Sequence, residues 1–451
     1  MAKFYEKFIQ NSKEGELKNR RREYNKKRDD FFAKQREAKG SKEVDFSKTT
    51  KDFPDAQIVS SENMFNLSGL DSDAQKALEN YDQIVQEIRP LNTYQLKLLP
   101  KDIRELSHKL TDEREERRMG YMNATQELSA YVRYFTWWNL VRFTTIFSKL
   151  DSSAFNLKDG DVCLDIGSGP LTIPCALWLS RPELRNKRLT FYCMDISQST
   201  LSFGEDIFMT IAAKVRPSED DAPSHWNIVR VKGGIGTPVR KKANFISCAN
   251  MFNELYQKNH ENPEIIAENQ TKLLMDYAAE DASLFIAEPG MPVAARFVSL
   301  IRSNLLKKDF SMVVPCPHDG KCPMNGLYAR YGGSAKWCNF SFSTENAPAK
   351  LLKLSKTSGL PKDRAVISFV FASSKKQNSD KDLLSLRVAS DSIWLPGNRQ
   401  GFYCCSKKGL VLLVNLGGKK ITCGERLNLK LTTDFSALQK DKKSSAIMIK
   451  I

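Results

Sequence analysis

The chain has 451 residues, 41% of them hydrophobic, with 10 cysteines and a formal net charge of +16 from 69 Lys+Arg against 53 Asp+Glu. That length exceeds one typical domain, and the apolar fraction excludes a wholly disordered chain. No stretch approaches the roughly 18 uninterrupted apolar residues of a membrane helix, so no membrane partner is expected, whereas the basic excess points to a polyanion, nucleic acid foremost.

Residues 1–55 read as a basic, charged extension; residues 1–40 alone carry 13 Lys/Arg against 7 Asp/Glu. A secretory signal needs an apolar core after its basic start, which this segment lacks. A mitochondrial presequence is poor in acids, yet Glu6, Glu14, Glu16, Glu23, Asp29, Asp30 and Glu37 all fall here. The expectation is a cytoplasmic, bacterial protein with reduced thiols.

Residues 56–150 read as a helical region. Leu128, Val132, Phe135 and Trp138 recur at three- and four-residue spacing and form one apolar stripe. The aromatic run Tyr131, Tyr134, Phe135, Trp137 and Trp138 reads foremost as core. The alternative is a base-stacking surface flanked by Arg114, Arg117, Arg118, Arg133 and Arg142.

From 151 to 374 short apolar runs alternate with helical stretches: Val162–Ile166, Leu189–Met194, Asn227–Val231, Asn244–Cys248, Leu284–Ala287, Phe310–Val314 and Ala365–Ala372. This alternation predicts an α/β domain with a parallel sheet. Residues 315–362 form a cysteine-rich insertion before the last of these strands. Residues 375–451 read as a small β-rich module (Leu384–Val388, Gly401–Cys405, Leu410–Leu416, Leu427–Leu431) with a basic tail.

The run Val162-Cys163-Leu164-Asp165-Ile166-Gly167-Ser168-Gly169-Pro170 is a strand that ends in a tight glycine turn, where the backbone can approach a ligand. A second strand ends at Asp195, whose carboxylate can accept both ribose hydroxyls of a nucleoside. A dinucleotide fingerprint would need a third glycine at position 172, which is Thr172. The turn is similar to the S-adenosylmethionine site of Rossmann-like methyltransferases, many of which carry glycine where Leu171 stands. Asp165, Gly167, Ser168, Gly169 and Asp195 are therefore the candidate cofactor-binding residues. Asn250 joins them from the string that follows the fourth strand, with Asn253 beside it. No Pro-Pro-aromatic or Pro-Cys signature accompanies this loop, so no catalytic residue is assigned. Glu288-Pro289-Gly290 ends the fifth strand, either shaping a target pocket or simply turning into a helix.

Cys163, Cys175, Cys193 and Cys248 fall in apolar patterns and read as core. Cys316 and Cys322, each followed by proline, and then Cys338 look different. Their first spacing, Cys-x5-Cys, is looser than that of most zinc knuckles. A fourth thiolate from Cys404, Cys405 or Cys423 would suit an iron–sulfur cluster, and zinc held by the three loop cysteines plus His318 is the rival.

Four features occur together: the string Pro315–Pro323, Trp337-Cys338-Asn339-Phe340, the Asp165–Pro170 turn and Glu288-Pro289-Gly290. In this combination the chain resembles the mitochondrial small-ribosomal-subunit methyltransferase-like assembly factors and their bacterial relatives, over roughly residues 90–420. The resemblance implies a Rossmann-like class I methyltransferase domain and a [4Fe-4S] cluster on Cys316, Cys322, Cys338 and Cys405, with the adjacent Cys404 as the other option for the fourth ligand. It also implies association with small-subunit ribosomal RNA, or the immature small ribosomal subunit, during assembly. The expected protein binds S-adenosylmethionine, acts on that RNA and is monomeric off the ribosome. A non-catalytic assembly factor that uses the same fold as an RNA-binding platform is the alternative. A radical enzyme would need a Cys-x3-Cys-x2-Cys string, which the chain lacks.

Overall fold

The computed structural model describes residues 55–65, 69–111, 125–216, 226–254, 262–327, 336–376, 382–395, 397, 399–432, 438–441 and 444–451. The basic extension before residue 55 and Arg114, Arg117 and Arg118 lie outside the described residues.

In chain order, strand β1 (Ala56–Asn63) precedes helices α1 (Ser72–Glu79), α2 (Tyr81–Ile88), α3 (Thr93–Thr111) and α4 (Thr125–Ala130), a π-helical turn (Tyr131–Thr136) and α5 (Trp137–Phe147). Then come α6 (Ser152–Phe155), β2 (Val162–Ile166), α7 (Thr172–Ser180), α8 (Pro182–Arg185), β3 (Thr190–Asp195), α9 (Gln198–Lys214), β4 (Asn227–Lys232) and β5 (Ala243–Ala249). Next are α10 (Pro263–Tyr277), β6 (Ala278–Pro289), α11 (Pro292–Leu306), β7 (Ser311–Val314), β8 (Phe340–Ser343), α12 (Ala349–Thr357) and β9 (Arg364–Ser373). The chain ends with β10 (Leu384–Val388), β11 (Ile393–Leu395), β12 (Arg399–Ser406), β13 (Gly409–Asn415), β14 (Glu425–Leu431) and β15 (Ile447–Lys450).

The first sheet runs β4-β3-β2-β5-β6-β9-β7, with β8 added against β9. Strands β4 through β6 are mutually parallel and β9 alone runs against its neighbours. This is the Rossmann-like order of class I methyltransferases. The winding reverses between β2 and β5, and the crevice at the carboxyl ends of these two strands is where such sheets bind ligands. Side chains alternate across the sheet. Cys163, Phe191, Phe245 and Phe285 pack on one face under α5, α7 and α9, while Leu164, Met194, Ile246 and Leu284 pack on the other with Leu274, Phe297 and Ile301.

The aromatic run is core. Trp137 and Trp138 are buried, and their indole N–H groups donate to Leu78 O (2.8 Å) and Ser355 Oγ (3.1 Å). Neither ring is available for base stacking. The π-helical turn inserts extra backbone between α4 and α5, which rotates the apolar stripe and leaves Tyr131 and Phe135 half-buried. Such turns concentrate at functional sites. Cys163, Cys175, Cys193 and Cys248 are all buried.

The second sheet runs β1-β14-β10-β12-β13-β15, with β11 on β12. A bridge between Asp55 and Lys450 joins its two ends and rolls it into a small barrel around Leu386, Phe402, Val411, Leu413, Leu427 and Ile449. Two expectations are corrected here. Residues 56–63 are a strand of this barrel rather than the start of the helical region, and residues 447–450 form a strand inside the expected basic tail. β1 is mostly exposed and polar, so it shows no alternation in the sequence; its pairing with β14 makes it a strand.

Candidate functional site

The glycine turn sits at the carboxyl end of β2. Gly167 and Gly169 have φ of 70° and 52°, in the left-handed region that favours glycine. The N–H groups of Gly167 and Ser168 both donate to Met194 O at 2.9 Å, which anchors the turn to β3. A Cβ at Gly167 would lie 2.6 Å from Met251 Cγ, so the loop after β5 closes directly on the turn. Leu171 is fully buried at φ 54°, which explains why glycine suits this position.

Asp165 is buried, and its two oxygens accept from Ser168 Oγ (2.7 Å) and Ser247 Oγ (2.6 Å). Burial pushes its carboxyl up to about 7 against the pull of those two hydroxyls. Asp195 accepts from the N–H groups of Gly169 and Ser197, both at 2.9 Å. Burial raises its carboxyl as well, opposed by those N–H groups. The Ile196 N–H also reaches this carboxylate, and the remaining lone pair leaves acceptor capacity for a ribose hydroxyl.

A narrow cleft opens between the turn and the β5 loop, lined by Asp165, Gly167, Ser168, Gly169, Asn250 and residues of the helical region. Of the nominated cofactor residues, five line it; Asp195 stands behind Gly169 instead. Tyr131, Asn139 and Phe143 form the opposite wall, which sequence reasoning missed. One signal was available: Asn139 is a polar residue inside the apolar run of α5, and it is buried.

The β5 loop is held from below. Glu288, fully buried at the end of β6, accepts from Phe252 N (2.8 Å) and Asn253 N (3.1 Å). Asn253 turns inward and its Nδ2 donates to Asn250 O at 2.8 Å, so it does not line the cleft. Asn250 adopts φ 57° and its N–H donates to Ala287 O at 2.8 Å. The Glu-Pro-Gly strand end is thus a brace for the loop that faces the glycine turn.

The second nominated site lies where the Cys316–Cys338 loop meets β12. Among the described residues, no group of three or more His, Cys, Asp and Glu side chains is arranged to hold a metal ion as it stands. The four nominated thiols nevertheless share one neighbourhood. Burial, then the charges of Cys322, Cys316 and Cys405, raise the Cys338 thiol far above its ordinary value; burial, then Cys316 and Cys322, raise Cys405. Arg302 from α11 reaches in among them: its Nε donates to Cys316 Sγ at 3.1 Å and its Nη2 to His318 O and Gly320 O at 2.8 and 2.9 Å. Burial works against the Arg302 charge, but the neighbouring thiols outweigh it and hold the group above its usual value. His318 falls to about 4, through burial and then Arg302, and its buried Nδ1 has no hydrogen-bond partner.

Strand alternation separates the two adjacent cysteines. Cys404 joins the barrel interior with Phe402 and Val411, whereas Cys405 packs in the main core with Cys322 and Cys338. Buried Arg387 on β10 donates to Pro315 O (2.7 Å) and Gly424 O (2.8 Å), which ties the cysteine loop to the barrel. An all-thiol donor set of this kind suits a soft metal or an iron–sulfur cluster better than a hard cation.

Against known proteins, the model of the family described as mitochondrial small ribosomal subunit Rsm22 matches residues 130–394, which include the glycine turn, Asn250 and the three loop cysteines. No curated protein matches the chain. Solved structures similar to it include a methyltransferase from Pyrococcus furiosus (14% identity, 35% of this chain and 68% of that one, TM-score 0.25). Aeropyrum pernix fibrillarin in complex with S-adenosyl-L-methionine is another (11%, 40% and 72%, TM-score 0.24). A third is an RNA methyltransferase from Salinibacter ruber in complex with S-adenosyl-L-homocysteine (10%, 33% and 72%, TM-score 0.20). The fold assignment rests on the strand order described above, not on these scores.

Proposed function

Given that the chain belongs to the Rsm22 family, we propose that it binds S-adenosylmethionine in the cleft between the glycine turn and the Asn250 loop and acts on small-subunit ribosomal RNA during ribosome assembly. The observation that carries this reading is the cleft itself, at the switch point of the sheet, walled by the left-handed glycines on one side and Asn250 on the other. In this reading the protein works in the bacterial cytoplasm, as a monomer when off the ribosome.

When bound, the cofactor supplies an electrophilic methyl group on a sulfonium. Gly167 and Gly169 let the backbone approach it, Asp195 accepts from its ribose, and Asn250 lies where an acceptor nucleotide would enter. The protein's contribution to transfer is proximity and orientation. We further propose that Cys316, Cys322, Cys338 and Cys405 draw together around a [4Fe-4S] cluster, zinc being the rival. When bound, the cluster would cross-link the cysteine loop to β12 and so fix the barrel to the methyltransferase domain.

A non-catalytic RNA-binding platform is the second reading. It is favoured by the cleft lining, in which neither a histidine nor a lysine is found among the described residues. The test uses anaerobically purified protein of confirmed iron and sulfide content, immature small subunits and cofactor labelled at its methyl group. Label in the ribosomal RNA, lost in Asp195→Ala, supports transfer. Tight particle binding without label supports the platform. Absence of both binding and label sinks the ribosomal reading.

A further inference from the structure

Beside the cofactor cleft lie two half-buried cations. Arg142, on α5, donates through Nη1 to Asn139 Oδ1 at 2.8 Å, and Asn139 lines the cleft. The Arg142 Nε has no exposed surface and no hydrogen-bond partner. Lys362, two residues before β9, lies over the rings of Trp138 and Tyr134, 5.3 and 5.7 Å from their centroids. Neither side chain makes an ion pair among the described residues. Among the described residues, Arg142 feels the charges of Tyr134 and Tyr131, and Lys362 feels that of Arg142.

Two like charges held together under aromatic rings, with a guanidinium N–H left unmatched, are costly without an anion. Burial, reinforced by Arg142, drops the Lys362 ammonium to about 7, which records that cost. An arriving oxyanion would meet the exposed parts of these two half-buried side chains and restore the lysine charge. The place of the pair in the fold says which anion this is. Lys362 precedes β9, whose Ile367 pairs with Pro289 at the carboxyl end of β6. That is the Asn250 side of the cleft, away from β3 and Asp195, so it is the side open to an acceptor.

We propose that Arg142 and Lys362 form an oxyanion subsite on the acceptor side of the cleft, which takes a backbone phosphate of a single-stranded polynucleotide. The inference rests on the cofactor-cleft reading above and adds a substrate-positioning site to it.

The test compares the full-length protein with Lys362→Gln, Arg142→Gln and the charge-keeping Lys362→Arg. A mixed-sequence single-stranded RNA oligonucleotide is titrated between about 50 and 200 mM salt. Each glutamine variant should bind it about tenfold more weakly. Its log–log salt slope should be shallower by about 0.7, the value of one phosphate contact on a single strand. Lys362→Arg should keep the wild-type slope, and both Lys362 variants should bind S-adenosylhomocysteine as the wild type does. An unchanged slope in Lys362→Gln, at wild-type melting temperature, overturns the proposal. So does selective loss of S-adenosylhomocysteine with 5′-methylthioadenosine spared, because the anion would then be the cofactor's own carboxylate. If the wild-type protein binds neither S-adenosylhomocysteine nor RNA, the cofactor reading fails first and this subsite falls with it.

Discussion

Gly204 sits in α9 with its backbone pressed on the cofactor turn, and replacing it with alanine tests how tightly that turn is built. A Cβ there would lie 2.4 Å from Pro170 C, 2.6 Å from Pro170 Cα and 2.7 Å from Leu171 Cδ1. Ordinary carbon contacts lie at about 3.5–4.0 Å, so helix or turn must move by about 1 Å. Two effects oppose each other. Alanine in place of glycine inside a helix gains about 1 kcal/mol. Overpacking costs about 1–3 kcal/mol, and the upper part of that range applies because the obstacle is backbone rather than a flexible side-chain end. The clash therefore wins, by about 1–2 kcal/mol, equivalent to a melting point lower by about 2–8 °C for a domain of this size. Displacing Pro170 also pulls Gly169 away from Asp195, so S-adenosylhomocysteine affinity, read by calorimetry, should fall about tenfold. Gly234→Ala is the control, since its Cβ would meet nothing within 4 Å. A Gly204→Ala protein that melts no lower than wild type and binds the cofactor product equally well would refute the packing argument.

Glu288→Gln keeps the shape but replaces one acceptor of the loop N–H groups with a donor; a stability loss of about 1.5–3 kcal/mol is expected, with faster amide exchange at Phe252 and Asn253. Normal protection there would show that the brace is dispensable. Because burial lifts Asp165 from 3.8 to about 7, the folded state holds its proton more tightly than the unfolded state. The cofactor-free protein should therefore lose stability, on the order of a few kcal/mol, as pH rises from about 4 to about 7. Asp165→Asn should remove that slope in thermal melts, and an identical slope in the variant would mean that another group carries it. For the cysteines, Cys405→Ser should lose iron and sulfide while Cys404→Ser keeps them; the reverse pattern would exchange their roles.

What could be read from the sequence was local. The strand Val162–Ile166 has the same bounds in the structure, because a short apolar run and an abrupt glycine turn are written in neighbouring residues. Leu384–Val388 also keeps its bounds, from the alternation of Leu384, Leu386 and Val388 with Ser385 and Arg387. The turn residues Asp165, Gly167, Ser168 and Gly169 were legible because only glycine adopts left-handed backbone cheaply. The loop cysteines stood out because the residues around them follow neither helical nor strand period.

Contacts between distant residues were not legible. β1 lacks apolar alternation and is a strand only because β14, more than 360 positions away, supplies its hydrogen bonds. Glu288 was visible as part of a strand end, but its work depends on N–H groups 35 and 36 positions earlier. Adjacent Cys404 and Cys405 look alike in sequence, and pleating sends one to the barrel interior and the other toward Cys322 and Cys338. Arg142 and Lys362 are ordinary charges in the chain, made unusual only by burial and by each other. The sequence by itself determined the glycine turn and those elements whose apolar pattern is local, since these follow from backbone preference and periodicity over a few residues. Only the tertiary structure decided the barrel closure, the loop brace, the separation of the two adjacent cysteines and the cation pair, since each depends on which distant groups share one space.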